Sequence, residues 1–181
     1  MKAHALVTAI GSDRVGIVED MAAEILEFGC NIEESRMALL GGDFAVLLLV
    51  SGESAPIDKL IEALDAVGSR LGLVATARRT RAPETSGDAL PYLLESASLD
   101  TPGIVRSVAA VLRRSGVNIA DLETDTAPAP WTGAPMFTMR ARLLVPRGVS
   151  VSALRKELET VELEHNLDLT LKSAAMGVPE V

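Results

Sequence analysis

The sequence predicts an α+β chain made of two tandem β-α-β-β-α-β units, each an antiparallel sheet with both helices on one face. Three observations predict it. The stretch Asp13-Arg14-Val15-Gly16-Ile17-Val18 and the later Gly29-Cys30-Asn31-Ile32 return as Asp100-Thr101-Pro102-Gly103-Ile104-Val105 and Gly116-Val117-Asn118-Ile119. Every residue of the second copy lies 87 positions after its counterpart, as Gly103 does after Gly16. Two motifs held at one offset with no gap mark an internal duplication. Within each copy, apolar residues recur first at strand spacing and then at helical spacing, and Gly- or Pro-containing turns separate the runs.

Composition bounds what such a chain can do. Its 181 residues suffice for two small domains. Hydrophobic residues make up 48% and aromatics only 3%, so both cores must be aliphatic. The formal net charge is −8, split evenly: 8 basic and 12 acidic residues through Ala82, then 9 and 13. Neither half has the clustered Lys and Arg that phosphate backbones require. One cysteine rules out an internal disulfide and a cysteine-rich metal site. The N-terminal stretch has no signal-peptide core, and no apolar run approaches the roughly 20 residues that span a bilayer. The default expectation is a soluble cytoplasmic protein.

In the first unit, Ala3 to Ile10 reads as a buried strand and Gly11-Ser12-Asp13 as a turn. A helix is expected from Val15 or Gly16, with Ser12 or Asp13 capping its free amides. Ile17, Val18, Met21, Ala22 and Ile25 form its apolar stripe, Phe28 closes it, and Gly29 fits the stop position. Asn31 to Leu40 is extended, and Gly41-Gly42-Asp43 is a hairpin signal. Phe44 to Val50 is apolar at every position, which implies that both faces of that strand are covered, the second by the other repeat or another subunit. Ser51 to Pro56 reads as a loop. Ile57, Leu60, Ile61, Leu64 and Val67 mark a second helix, and Leu73 to Ala77 a last strand. This order is the split β-α-β, or ferredoxin-like, arrangement.

The second unit repeats it. Residues 1–82 are assigned to the first domain, 83–90 to a linker, 91–175 to the second domain and 176–181 to a C-terminal tail, with the chain expected to loosen from Ser173 onward. Pro91 to Leu99 is the first strand, and Pro102 suits a first helical turn. Ile104, Val105, Val108, Ala109 and Leu112 form the stripe and Gly116 ends it. Asn118 to Thr126 is the second strand, and an enlarged hairpin runs from Ala127 to Pro135 through Trp131. Met136 to Val145 alternates, with Phe137, Met139, Ala141 and Leu143 on one face and Thr138, Arg140 and Arg142 on the other. Val151, Leu154, Leu158 and Val161 mark the last helix, and Leu167 to Leu171 the last strand.

With its doubled turn glycines Gly16 and Gly103 and its Gly-x-Asn-Ile entries to the second strands, the chain resembles the ACT domain, a small-molecule-binding module of the ferredoxin-like fold. Among ACT proteins it is most similar to the tandem regulators of the glycine cleavage repressor family. ACT segments also precede catalytic domains, as in formyltetrahydrofolate deformylase, but the resemblance does not imply that activity for these two repeats. The resemblance implies amino-acid binding in a crevice between paired ACT units. One unit's turn would supply backbone amides, and the facing unit's asparagine would supply side-chain hydrogen bonds. Carried over by position, one site uses Asp13, Arg14, Val15, Gly16, Asn31 and Ile32. The other uses Asp100, Thr101, Pro102, Gly103, Asn118 and Ile119. Glycine near a helix N-terminus lets a carboxylate approach free amides, and asparagine offers both donor and acceptor. The same residues also serve as plain turns and caps. Arg14 becoming Thr101 and Val15 becoming Pro102 make the two turns unequal, so one can bind while the other only packs.

Other chemistry has little support. His4 and His165 stand at opposite ends of the chain without metal-binding spacing. Cys30 reads as a small buried residue. No nucleophile elbow, P-loop or dinucleotide fingerprint occurs. Phe44 and Phe137 are too few for base stacking. Arg78, Arg79 and Arg81 read as a solvated strand end, and Trp131 as a partner-binding knob or a sheet cap. The expected function is a tandem regulator that senses glycine or serine and acts on a partner protein, without catalysis or cofactor, as a homodimer. The rivals are a ligand-free interaction module and an acylphosphatase-type enzyme.

Overall fold

The computed structural model describes residues 2–82, 89–130 and 132–174. The chain divides into two compact units, the first ending at Thr85 and the second starting at Ser86. In unit 1 the elements are β1 (Lys2–Ser12), α1 (Ile17–Glu27), β2 (Asn31–Leu40), β3 (Asp43–Glu53), α2 (Ser54–Leu71) and β4 (Leu73–Thr80). In unit 2 they are β5 (Ala89–Leu99), α3 (Ile104–Arg114), β6 (Asn118–Pro128), β7 (Pro135–Pro146), α4 (Val151–His165) and β8 (Asp168–Ser173). The sheets run β2-β3-β1-β4 and β6-β7-β5-β8, with every pairing antiparallel. The ferredoxin-like order therefore holds in both units. Even the irregularities repeat, since β2 bulges between Ile32 and Glu34 and β6 between Ile119 and Asp121.

Each unit buries one face of its sheet under its two helices. In unit 1, Ala5, Val7 and Ala9 of β1 and Phe44, Val46, Leu48 and Val50 of β3 meet Ile17, Met21 and Ile25 of α1 and Ile57, Leu60, Leu64 and Val67 of α2. In unit 2, Leu94 and the inward residues of β7 meet α3 and α4. The glycine pair Gly41–Gly42 closes a two-residue hairpin with φ of +62° and +97°, the double left-handed geometry of a type I′ turn.

Several local expectations are corrected. β1 continues through Gly11 and Ser12, which pair with Phe44 and Asp43, so no turn begins there. Neither Ser12 nor Asp13 caps α1: Gly16 itself is the N-cap at φ +89°, with no side-chain hydrogen bond. Pro102 likewise lies outside α3, whose N-cap is Gly103 at φ +102°. Val18 and Val105 point outward at 51% and 37% exposure, because the buried stripes follow positions 17, 21, 25 and 104, 108, 111, 112. Val111 was not anticipated. Ser51 to Glu53 belong to β3 rather than a loop, and α2 starts at Ser54. β5 opens at Ala89, inside the stretch read as linker, and β6 and β7 stay paired to Pro128 and Pro135, which shortens the expected hairpin loop. Ser173 is in β8, opposite Tyr92. Trp131, most of the linker and the tail beyond residue 174 lie outside the described residues. Among the described residues, no helix is long and apolar enough to cross a membrane.

Candidate functional site

The strand-to-helix turns are built alike. In each, a left-handed glycine ends the turn and its carbonyl accepts the helix's first bond: Asp20 N to Gly16 O in unit 1 and Ser107 N to Gly103 O in unit 2, both 2.9 Å. A positive φ is easiest for glycine, since a Cβ in that region crowds its own backbone. Nothing lies within 4 Å of where a Cβ would stand at Gly16, so its requirement is conformational rather than steric. In unit 1 the Ile17 amide turns back to the Arg14 carbonyl at 3.3 Å; helix-start amides left without such a bond, together with the helix dipole, favour an anion.

Electrically the two turns differ. In unit 1, Arg14 reaches Asp20 at 2.5 Å, and Glu19 and Asp20 both sit in the first turn of α1. Those carboxylates already occupy the favourable field at the helix N-terminus and repel another. In unit 2 no acidic residue lies in the first turn of α3. Arg106 is there instead, and Ser107 stands at the position of Asp20. Ser107 Oγ pairs with His165 Nε2 at 2.9 Å, and the His165 ring stands 3.8 Å from a Cβ position at Gly103. On the other side of this turn, the Asp100 amide donates to the Pro135 carbonyl at 2.9 Å. Asp13 and Val15 are exposed, as are Thr101 and Pro102.

The asparagines lie at the far ends of the sheets. Asn31 pairs with Ser51, which pairs with His4 of β1, eight residues before the end of the strand at Ser12. At about 3.3 Å per residue, the turn and Asn31 are roughly 26 Å apart along one unit. Asn118 is related in the same way to Leu144 and Pro91. A single unit therefore does not bring its own turn and asparagine together. Asn31 is exposed, and its Nδ2 donates to the Ile32 carbonyl at 3.2 Å, while Ile32 and Ile119 pack partly into their cores. Beside Asn31, the bulge residue Glu33 accepts from Lys2 Nζ at 2.5 Å and stands 3.3 Å from His4 Nε2. The Lys2 bond, and secondly a Ser51 hydroxyl, hold the Glu33 carboxyl below its usual range. Cys30 is buried at 3% exposure, and burial pushes its thiol up.

Sequence reasoning missed the Ser107–His165 pair and Arg106. The signal was present: both Asp20 and Ser107 lie four residues after the turn glycine, one turn along the helix. His165 had no such signal, because its partner is 58 residues away.

The two ferredoxin-like units in tandem, each with a glycine-ended strand-to-helix turn, have the architecture of small regulatory modules, and residues 3–77 match the ACT domain family. That match places the first unit in the ACT domain family. It is 32% identical over 126 residues to the glycine cleavage system transcriptional repressor of Escherichia coli strain K12, covering 70% of this chain and 66% of that protein, just under two thirds of its length. The crystal structure of an unknown protein from Galdieria sulphuraria superposes with a TM-score of 0.82 at 36% identity, covering 97% of this chain and 100% of that one. That of a candidate glycine cleavage system transcriptional repressor superposes at 0.73 over 96% of this chain and 98% of its own, and at 22% identity it speaks for the fold.

Proposed function

We propose that this protein is an amino-acid-sensing regulator without catalysis of its own, acting in the cytoplasm on a partner protein. The observation that carries the reading is the contrast between the turns. The turn Asp100–Gly103 presents free helix amides beside Arg106 with no acid in the first helical turn, which suits a ligand carboxylate. The turn Asp13–Gly16 is occupied by its own Arg14–Asp20 pair. Unit 2 therefore supplies the live turn, and an asparagine from a facing ACT unit, Asn31 or Asn118, completes the site. Glycine or serine is the favoured ligand, and the name of the relative, a repressor of the glycine cleavage system, supports glycine. A role in regulating glycine cleavage would run through protein contacts, because a net charge of −8 opposes binding to DNA.

A dimer fits this reading. β2 lies at a sheet edge with Met37, Leu39 and Leu40 exposed at 55%, 57% and 70%, and an open apolar edge favours pairing with a second unit. Calorimetric titration with glycine and serine tests the proposal. Saturable binding that Arg106→Glu weakens about tenfold, a change of roughly 1.4 kcal/mol of the size charge reversal at a helix end can produce, is expected, with Arg14→Gln within twofold of wild type. Comparing Asn31→Ala with Asn118→Ala identifies the facing strand. If no amino acid in a full panel binds, the ligand-free interaction module replaces the sensor.

A further inference from the structure

On the sheet face of unit 1 that carries no helix, a groove of about 300 Å³ opens over Leu6, Leu47 and Leu49, with Glu34, Arg36 and Arg81 at its rim. The register explains its floor. Leu6 of β1, Leu49 of β3 and Glu34 of β2 lie in one row across the sheet, and Leu47 and Arg36 lie in the next. Arg36 is held by Glu34 at 2.9 Å. Arg81 has no ion-pair partner among the described residues, nor does Arg78, which lies beside Leu6 on the same face. An acidic unit thus places around an apolar floor two cations, Arg78 and Arg81, that have no ion pair among the described residues.

The duplication supplies an internal control. At the positions matching Leu47 and Leu49, unit 2 carries Arg140 and Arg142, and across from them Glu123 and Asp121 replace Arg36 and Glu34. There Arg142 pairs with Asp121 and Arg140 with Glu95, each at 3.8 Å. The same sheet position in the same fold is thus a solvated ion ladder, so the fold itself does not demand an apolar floor. A face open to water normally alternates to polar residues. Leu47 stays 48% exposed, so it contributes little to this unit's own core.

We infer that this groove is a second binding site, separate from the turns, for a short aliphatic carboxylate whose chain lies on Leu6, Leu47 and Leu49 and whose carboxylate pairs with Arg81. The volume is at the small end of ligand pockets, which suits a chain of a few methylenes rather than a long lipid. Charge selects the acid: a guanidinium with unused donors binds a carboxylate by charge-assisted bonds, while an ammonium would be repelled.

Titration with octanoate below its micelle concentration, followed by backbone NMR shifts, tests this. Saturable binding with shifts centred on β1 and β3 is expected, with octylammonium at least tenfold weaker. Arg81→Gln should weaken octanoate about tenfold, and Leu47→Arg, which installs the unit 2 residue on an exposed strand position, should abolish binding while leaving the fold and glycine or serine binding unchanged. Equal binding of octanoate and octylammonium, or an unaltered affinity in Arg81→Gln, would overturn the inference. So would absence of octanoate binding; if Leu47→Arg then also reduced the assembly size in sedimentation, the face would belong to a second copy of this chain.

Discussion

A methyl group added at Gly68 would stand 2.7 Å from Ala75 Cβ and 2.8 Å from the Leu73 carbonyl. Gly68 is thus the point where α2 touches β4, and Gly68→Ala is expected to cost about 1–3 kcal/mol by overpacking, read from urea denaturation. Gly29 makes a useful contrast. Its φ is +71° but its Cβ position is empty, so Gly29→Ala should cost only about 1 kcal/mol of backbone strain. Cys30 behaves as a core residue. Because burial raises its pKa, little thiolate forms, and thiol reagents should label it slowly in the native protein at mildly alkaline pH and fully in concentrated guanidinium.

At the scale of elements, the bulge in β2 has an electrostatic consequence. Glu33 ordinarily titrates near 4.5, and its contacts with Lys2 and Ser51 lower that value in the folded state. The stabilisation is therefore fully present above the ordinary value and is lost as pH falls through the lower folded one. Melting temperatures of wild type and Glu33→Gln should differ at neutral pH and converge at the acid end of the titration. α4 is started by Ser150, whose hydroxyl accepts from the Ala153 amide at 3.4 Å. Ser150→Ala should lower stability by about 0.5–2 kcal/mol, measured by thermal or denaturant unfolding.

At the scale of the molecule, duplication provided one scaffold twice and substitution then separated the copies. Asp20 in one copy stands where Ser107 stands in the other at the turn, and Leu47 and Leu49 stand where Arg140 and Arg142 stand on the open sheet face. The proposed homodimer follows from the exposed β2 edge. Met37→Lys combined with Leu39→Lys should shift sedimentation toward the monomer, since edge lysines oppose strand pairing. Both units should remain folded in that variant, because these side chains are exposed and outside the core.

The element order and the two cores were legible in the chain by itself, because local periodicity and turn glycines decide them: Ile57 to Val67 can only be one stripe of a helix, and Gly41–Gly42 can only be a tight turn. The duplicated turns were legible too, since their glycines stand at a constant offset. Tertiary structure decided what depends on partners distant in sequence. It placed His165 against Gly103, set Glu33 between Lys2 and His4, and moved the capping role from Asp13 to Gly16, whose left-handed backbone orients the amides directly. It also separated each turn from its own asparagine, a consequence of strand length that residue types do not carry. The apolar third strand shows the boundary between the two: its composition announced a face without polar residues, and only the register placed Leu47 and Leu49 beside Leu6 under two arginines.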